Sequence, residues 1–383
     1  SLIIWPWTIK FLWSPFLELY RTKKFWVVGS QLLSGVLFGV AALSLHLPLF
    51  FSVSVAVFAV VAFSGATHDI AADGVYMSEL SPASQAKYIG WQGAFYNLAK
   101  LVATGGLVWL AGWLYEGFSA DGASSYDASV GSWTVVLLLL CVTLVALGLY
   151  HLRALPSGGS ASEGRSLRDG LSGLREVIGA FFTKRHIWYY IAFIILYRLG
   201  EGFVMKIVPL FLKADTASGG LGLTNQQIGL YYGTFGAGAF LLGSLLAGYY
   251  IAHRGLRRTL FILCCIFNIP FAVYALLAWL QPQSMWIVGG GIVLEYFGYG
   301  FGFVGLTLFM MQQVAPGRHQ MAHYAFASGI MNLSVMLTGA VSGYLSDALG
   351  YGMFFLAVML ATVPAFLVTW FVPFTYDDKP NDK

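Results

Sequence analysis

Two acidic residues in an otherwise apolar part of the chain, Asp69 and Asp73, have the type and spacing to handle protons inside a membrane. They stand four residues apart, and residues 49–63 before them are almost all apolar. On a helix this spacing places both carboxylates on one face. A charged group at membrane depth costs about 2.5–3.5 kcal/mol on insertion scales, so an intramembrane pair indicates a functional role.

The depth of this pair in the membrane leaves two interpretations open. If the helix enters at Phe50, Asp69 lies roughly 28 Å down the axis at 1.5 Å per residue, near the far edge of a core about 30 Å thick. The pair could then be a charge cluster at the interface. If the helix is tilted and lines a water-filled cavity, the carboxylates are functional, and we favour this second interpretation.

Further ionisable residues lie near the middle of other predicted membrane helices: Lys10, Lys100, Arg198, Glu201 and Glu295. Unpaired charges are expensive there, so we expect them to pair inside the protein. Arg198 and Glu201 are three residues apart and can pair locally, and a proton or an anionic substrate could break that pair. The alternative is that such pairs only lock helices together.

These observations give two sets of candidate site residues. The candidates for proton coupling and gating are the four acids, Asp69, Asp73, Glu201 and Glu295. The candidates for substrate binding are the three cations and nearby residues that could bind hydroxyls or stack on sugar rings: Lys10, Lys100, Arg198, Tyr96, Asn97, Tyr197, Tyr296, Tyr299 and Asn332. Any one of the tyrosines or asparagines could instead serve only packing.

The composition shows what kind of protein must position these residues. Hydrophobic residues make up 58% of the 383 residues and charged residues 10%, against about 25% charged in soluble domains. The mean hydropathy is +0.73. Apolar runs predict eleven membrane-spanning helices, at roughly 2–20, 25–45, 49–77, 85–115, 131–152, 186–212, 225–252, 258–280, 284–314, 319–347 and 351–373. The fold class is therefore an all-α, polytopic membrane protein.

The distribution of positive charge predicts the orientation. If the chain alternates sides, sixteen Lys and Arg residues fall on one face, and only Lys213 falls in a connection on the other. The positive-inside rule makes the first face cytoplasmic, together with the C-terminus. Residue 1 then starts outside, which leads us to expect one more helix before it and twelve in all.

A polar stretch, residues 153–185, divides the chain into two predicted bundles, 1–152 and 186–383. Its later part, 167–182, predicts an amphipathic helix, which could lie on the inner membrane surface or pack under the helices. Similar sequence features recur about 234 residues apart, such as the basic turns that follow Glu18 and Ala252. This offset supports two related halves.

Several classes of protein are not supported by the sequence. The chain has no phosphate-binding loop, no nucleophile elbow and no metal-ligand spacing among its seven histidines and three cysteines. We therefore expect neither an enzyme nor a cofactor, metal or nucleic-acid partner. The expected partners are a small-molecule substrate, protons and membrane lipid, and the expected state is a monomer.

Two segments resemble a known family. Lys10-Phe-Leu-Trp-Ser-Pro15 and Ser64-Gly-Ala-Thr-His-Asp69-Ile-Ala-Ala-Asp73-Gly are similar to motifs of the anhydromuropeptide permease branch of the major facilitator superfamily. The resemblance implies the two-bundle, twelve-helix fold of that superfamily, with the first helix absent from this chain. It also implies proton-coupled import of cell-wall fragments across the bacterial inner membrane by alternating access.

The chain departs from the family pattern at several positions. His68 stands where the branch usually has Gln, and Gly74 begins a segment where it has Ala-Trp. In the cytoplasmic signature of the superfamily, Glu18 and Ala252 replace Asp. The sequence therefore predicts a symporter for an amino-sugar-containing saccharide or a muropeptide, and leaves open a siderophore importer, a hydrophobic-drug exporter or a non-transporting sensor of the same fold.

Overall fold

The computed structural model describes residues 5–158 and 173–376, and all regular structure in these ranges is helical. The helices of the first part are α1 (Trp5–Ile9), α2 (Ser14–Leu19), α3 (Lys23–Ser44), α4 (Phe50–Glu79), α5 (Pro82–Leu101), α6 (Leu107–Ala120) and α7 (Ser125–Ala154). A 3-10 turn, Lys10–Leu12, separates α1 from α2, and a π-helical segment, Val102–Gly106, joins α5 to α6.

The second part contains α8 (Leu174–Phe182), α9 (Ile187–Tyr197), α10 (Leu199–Lys213), α11 (Asn225–Ile228), α12 (Gly236–Arg254), α13 (Leu256–Asn268), α14 (Ala272–Leu280), α15 (Met285–Phe309) and α16 (Gln320–Trp370). π-helical segments, Gly229–Phe235 and Met310–Val314, continue α11 into α12 and extend α15.

Eight of the helical stretches in the described part of the chain are long and apolar enough to cross a membrane. They account for nine predicted spans, because α16 covers two that meet at Gly350, where φ is 69°. The other two predicted spans are helical but interrupted: residues 2–20 are α1, the 3-10 turn and α2, and residues 186–212 are α9 and α10. The all-α fold with eleven spans is therefore confirmed.

Local sequence explains where several helices begin and end. Thr22 caps α3 by accepting a hydrogen bond from the Phe25 N–H, and Ser124 caps α7 in the same way. Between α12 and α13 the chain turns at Gly255, whose φ of 81° favours glycine. The ends of these helices are thus set by side-chain caps and by a residue that tolerates the left-handed region.

Contacts divide the chain into two units that do not coincide with the predicted bundles. Unit 1 contains Ser1–Glu79, Leu98–Gly179 and Gly317–Phe326. Unit 2 contains Leu80–Asn97, Ala180–Pro316 and Ala327–Lys383. The start of α5 thus groups with later helices, and the start of α16 groups with earlier ones. The division into bundles 1–152 and 186–383 stays a prediction.

The predicted amphipathic helix is present in its described part as α8, while residues 167–172 of that prediction lie outside the described ranges. Val177 and Phe181 on its apolar face are fully buried, and Ile178 is 42% exposed. Val177 packs with Leu19 and Ala322 in a small core of unit 1. This packing favours the interpretation in which α8 lies against other helices of the protein.

Close helix packing in unit 2 depends on glycine. A Cβ at Gly300 would lie 2.1 Å from the Phe240 carbonyl oxygen, and one at Gly302 would lie 2.2 Å from the Phe267 Cβ. Only glycine allows the backbone of α15 to approach α12 and α13 this closely. This packing holds α15, which carries Glu295, Tyr296 and Tyr299, in a fixed position.

Candidate functional site

The first candidate site, in unit 1, is an ion pair between Lys10 and Asp69. Lys10 lies in the 3-10 turn between α1 and α2 and is only 3% exposed. Its Nζ lies 2.6 Å from Asp69 Oδ2 on α4. Trp13 Nε1 also donates a hydrogen bond to Thr67 Oγ1, at 3.1 Å. The turn therefore places the cation of the first motif on the acidic face of α4.

The two acids of α4 have different environments. The Asp69 side chain is 42% exposed, whereas Asp73 is 6% exposed. Lys10 also lies close enough to Asp73 to interact with it electrostatically. One buried ammonium thus faces two carboxylates, and its close ion pair is with Asp69.

The second candidate site, in unit 2, is built around Arg198. Its guanidinium donates from Nε and an Nη to the two carboxylate oxygens of Glu201, which confirms the predicted local pair. Both residues are buried, at 5% and 4% exposure. The guanidinium carbon lies 5.1 Å from the centre of the Phe303 ring. A planar, two-pronged donor stacked on an aromatic ring is well suited to bind a carboxylate.

The backbone at Arg198 interrupts the predicted helix. Arg198 has φ −103° and ψ 10°, so α9 ends before it and α10 begins after it. Ser334 Oγ donates a hydrogen bond to the Ile195 carbonyl oxygen at 3.2 Å. Asn268 Nδ2 lies 3.5 Å from the Tyr197 carbonyl oxygen. Side chains of neighbouring helices thus supply hydrogen bonds beside the break, as irregular backbone at membrane depth requires.

Glu295 belongs to the same region of unit 2. It is 6% exposed, and its Oε2 accepts a hydrogen bond from the Tyr274 hydroxyl at 2.8 Å. One helical turn away on α15, Tyr299 is close enough to Arg198 and Glu201 to interact with both. The Tyr296 ring lies against that of Tyr232, with centroids 5.0 Å apart. The site therefore combines acids, one cation and aromatic rings.

The other predicted substrate-binding residues take part in different contacts. Tyr197 is fully buried, and its hydroxyl donates to the Gly302 carbonyl oxygen at 2.9 Å. Asn97 donates to the Gly93 carbonyl oxygen of its own helix. Lys100 is exposed, Tyr96 is 71% exposed and Asn332 is half-buried. The roles predicted for these five residues stay predictions.

Sequence reasoning missed Tyr274, Tyr232 and Phe303. Tyr274 is 21 residues from Glu295 in sequence and lies in a uniformly apolar run, so no local pattern marks it. Phe303 is one of several aromatic residues on α15, and what distinguishes it is its contact with Arg198. The weak signal available was this series of aromatic residues along α15.

His68, a departure from the family pattern, lines a cavity of about 400 Å³ in unit 1. Gln31, Ser34 and Trp7 line the same cavity. The buried Nε2 atom of His68 has no hydrogen-bond partner among the described residues. His68 therefore places a titratable ring in the wall of this cavity.

A further contact in unit 1 involves Glu18, the residue that replaces Asp in the superfamily signature. Its Oε2 accepts a hydrogen bond from the Ala322 N–H at 2.9 Å, in the first turn of α16. A carboxylate at a helix N-terminus satisfies free N–H groups and interacts favourably with the helix dipole. The Glu18 carboxylate therefore caps α16.

Ala252 is the position in unit 2 that is related to Glu18, and the packing of its helix depends on the close approach of two backbones. Ala252 supplies no carboxylate there, and α5 instead approaches α12 closely. A Cβ at Gly90 would lie 2.6 Å from the Ser244 carbonyl oxygen, and one at Gly248 would lie 2.7 Å from that of Ala86. The two related positions in the chain thus use different interactions, one electrostatic and one steric.

Comparison with known proteins agrees with this architecture. An anhydromuropeptide permease of Escherichia coli K12 is 26% identical over 384 residues, which cover 96% of this chain and 70% of the permease. An uncharacterized protein of Haemophilus influenzae is 22% identical over 385 residues, covering 97% of this chain and 84% of that protein. The resemblance to the anhydromuropeptide permease branch is confirmed.

Solved structures show the same fold. A variant of the Escherichia coli fucose:proton symporter FucP aligns with a TM-score of 0.64 at 11% identity, over 96% of this chain and 93% of that one. A bacterial homologue of the iron transporter ferroportin in an outward-facing state aligns with a TM-score of 0.63 at 15% identity, over 96% of this chain and 89% of that one. These relatives are transporters, not enzymes. The Major Facilitator Superfamily model matches residues 6–314 and 195–383, and the chain belongs to that superfamily.

Proposed function

We propose that this protein is a proton-coupled importer of an amino-sugar-containing saccharide or a muropeptide. The observation that carries the proposal is the buried cluster of Arg198, Glu201 and Glu295 beside Tyr296 and Tyr299. Buried charges within membrane-spanning helices mark substrate and proton pathways by default. The similarity to an anhydromuropeptide permease supports this substrate class.

The chemistry of the cluster suits such a substrate. A muropeptide carries carboxylates on its peptide, which is joined to the lactyl group by an amide bond, and has sugar rings with polar edges and apolar faces. A substrate carboxylate can replace Glu201 as the acceptor of the Arg198 fork, since both offer the same two oxygens. Tyr296 and Tyr299 supply aromatic faces for the sugar rings and hydroxyls for their polar groups. A purely apolar drug offers no acceptor for the Arg198 guanidinium and no polar group for the tyrosine hydroxyls.

Transport in this proposal occurs by alternating access. The contacts of Glu18 with Ala322 and of Gly90 with Ser244 join segments from the two predicted bundles. They lie next to connections that the positive-inside rule places in the cytoplasm. These contacts form the cytoplasmic gate, which must open for substrate to leave on that side. The remaining parts of the proposal are a bacterial inner-membrane location, a cytoplasmic C-terminus and a monomer in contact with lipid.

The test is uptake of a radiolabelled anhydromuropeptide into proteoliposomes with an imposed pH gradient. The wild type should accumulate the label, and a protonophore should abolish accumulation. Arg198→Lys keeps the positive charge and loses the two-pronged guanidinium donor. Uptake should then fall about tenfold or more, because a hydrogen bond to a charged group contributes about 1.5–3 kcal/mol. The control is Lys213→Gln, which changes an exposed lysine.

Three outcomes would contradict the proposal. Uptake that is unchanged by the protonophore would exclude symport. Transport of a ferric siderophore but not of the muropeptide would replace the substrate class. Efflux of a hydrophobic dye without muropeptide uptake would favour an exporter.

A further inference from the structure

The four candidate acids differ in how their charges are compensated. Asp69 pairs with Lys10, and Glu201 pairs with Arg198. Asp73 lies within the electrostatic influence of Lys10. Among the described residues, no nitrogen of Lys, Arg or His lies within the 4.0 Å ion-pair distance of Glu295, although Glu295 is 6% exposed. Glu295 is therefore the buried acid with the least compensation for a negative charge.

Apart from the Tyr274 hydroxyl, whose hydrogen bond favours a carboxylate, the groups around Glu295 do not compensate a negative charge. The Tyr274 hydroxyl, on a residue that is itself 1% exposed, donates to Oε2 at 2.8 Å. The other titratable groups that interact with Glu295 are acids or phenols: Glu201, Tyr232, Tyr296 and Tyr299. The cation of this region, Arg198, already donates two hydrogen bonds to the Glu201 carboxylate. None of these neighbours supplies a free positive charge.

We infer that Glu295 is the carboxyl that binds and releases the coupled proton, with Tyr274 as its fixed hydrogen-bond partner. This inference rests on the proposed function as a proton-coupled importer. An unpaired carboxylate in a membrane interior is costly, whereas a neutral carboxylic acid that accepts a hydrogen bond costs much less. Protonating Glu201 would instead leave Arg198 as a buried cation without its partner, and protonating Asp69 would remove the close partner of Lys10.

The step is a simple proton transfer. An O–H bond forms on the Glu295 carboxyl with a proton taken from water on one side of the membrane, and it breaks when the proton leaves to water on the other side. No bond of the substrate changes. Because Glu201 interacts electrostatically with Glu295, the proton alters the field at the Arg198 pair. Proton binding is thereby coupled to the group that would hold a substrate carboxylate.

The first test does not require transport. Infrared difference spectra of the purified protein in lipid bilayers, recorded as the pH is changed, report the C=O stretch of neutral carboxyl groups. The wild type should show such a band, and Glu295→Gln should lose it. Tyr274→Phe should keep the band at a shifted frequency, because it removes the hydrogen bond and keeps the acid. Asp73→Asn, the matched control, should keep the band unchanged.

The second test separates coupling from binding. In proteoliposomes, a gradient of one pH unit can drive about tenfold accumulation of a radiolabelled anhydromuropeptide. In Glu295→Gln the label should reach only equal concentrations inside and outside the vesicles. Exchange of internal for external label should continue at a rate within about twofold of wild type. Glu201→Gln should impair exchange as well, since it leaves Arg198 without its buried partner.

The results distinguish this inference from the proposed function. The inference would be overturned if the carboxyl band persisted in Glu295→Gln, or if Glu295→Gln accumulated the label to the wild-type level. Either result would leave the importer proposal intact. If the wild type transports no muropeptide, the proposed function fails, and the infrared spectra still decide whether Glu295 holds the proton.

Discussion

The cap that Glu18 provides for α16 gives a quantitative prediction. Glu18→Ala removes both the hydrogen bond to the Ala322 N–H and the charge at the helix start. The loss of an N-terminal cap typically costs about 1 kcal/mol, and the lost interaction with the helix dipole adds about 0.3–1 kcal/mol. Together they predict a loss of about 1–2 kcal/mol of local stability, which is about a 5- to 30-fold increase in the opened population.

Hydrogen exchange measured by mass spectrometry is the assay, because the amide of Ala322 is itself the donor. Exchange of a peptide covering Gln320–Phe326 should accelerate about 5- to 30-fold in Glu18→Ala. Glu18→Gln retains an acceptor oxygen and loses only the charge, so the acceleration should be about two- to fivefold. This graded series separates the hydrogen bond from the charge.

The matched control is Glu176, which contacts Arg318, close to the same segment, at 3.3 Å. Both side chains of that ion pair are well exposed, at 70% for Arg318 and 63% for Glu176, so Glu176→Ala should have little effect. Identical exchange in wild type and Glu18→Ala would refute the capping argument. Equal acceleration by Glu176→Ala would show that any loss of negative charge near this segment is sufficient.

Two other predictions concern the acids of α4 and the glycine contact of α5. Asp73→Asn should abolish proton-driven uptake and exchange while the protein still reaches the membrane. Asp69→Asn should give an equal or smaller loss. Wild-type uptake by a well-expressed Asp73→Asn variant would instead indicate that the two acids are only a charge cluster at the membrane interface. Gly90→Ala should lower the thermal unfolding temperature, because a Cβ would lie 2.6 Å from the Ser244 carbonyl oxygen and overpacking costs about 1–3 kcal/mol. Gly93→Ala is the control, since its Cβ would meet its nearest atom at 3.8 Å.

The sequence was sufficient to predict features that depend on local spacing. The apolar runs located the helices, and the three-residue separation of Arg198 and Glu201 predicted their ion pair, which the structure contains. The expectation that Lys10 pairs inside the protein also holds, since its Nζ lies 2.6 Å from Asp69 Oδ2. Helix periodicity fixed the geometry of the Arg198–Glu201 pair, and the cost of an unpaired buried charge required a partner for Lys10.

Features that depend on packing between distant segments could not be predicted in this way. The partner of Glu295 is Tyr274 on another helix, and the partner of Glu18 is a backbone N–H 304 residues away. The helix break at Arg198 was also missed, because the glycines that follow it are frequent in unbroken membrane helices as well. Side chains such as Asn268 and Ser334 supply hydrogen bonds beside the break, and local patterns do not reveal them.

The interruption at Arg198 has a mechanical consequence. A continuous helix bends only by stretching its own hydrogen bonds, and sharp bends therefore occur where that ladder is already broken. Here α9 and α10 are joined by one residue outside the helical region, and that residue carries the buried guanidinium. A change in what the guanidinium holds would therefore act directly on this break, so the proposed ligand-binding group and the point at which this membrane span can bend are the same residue.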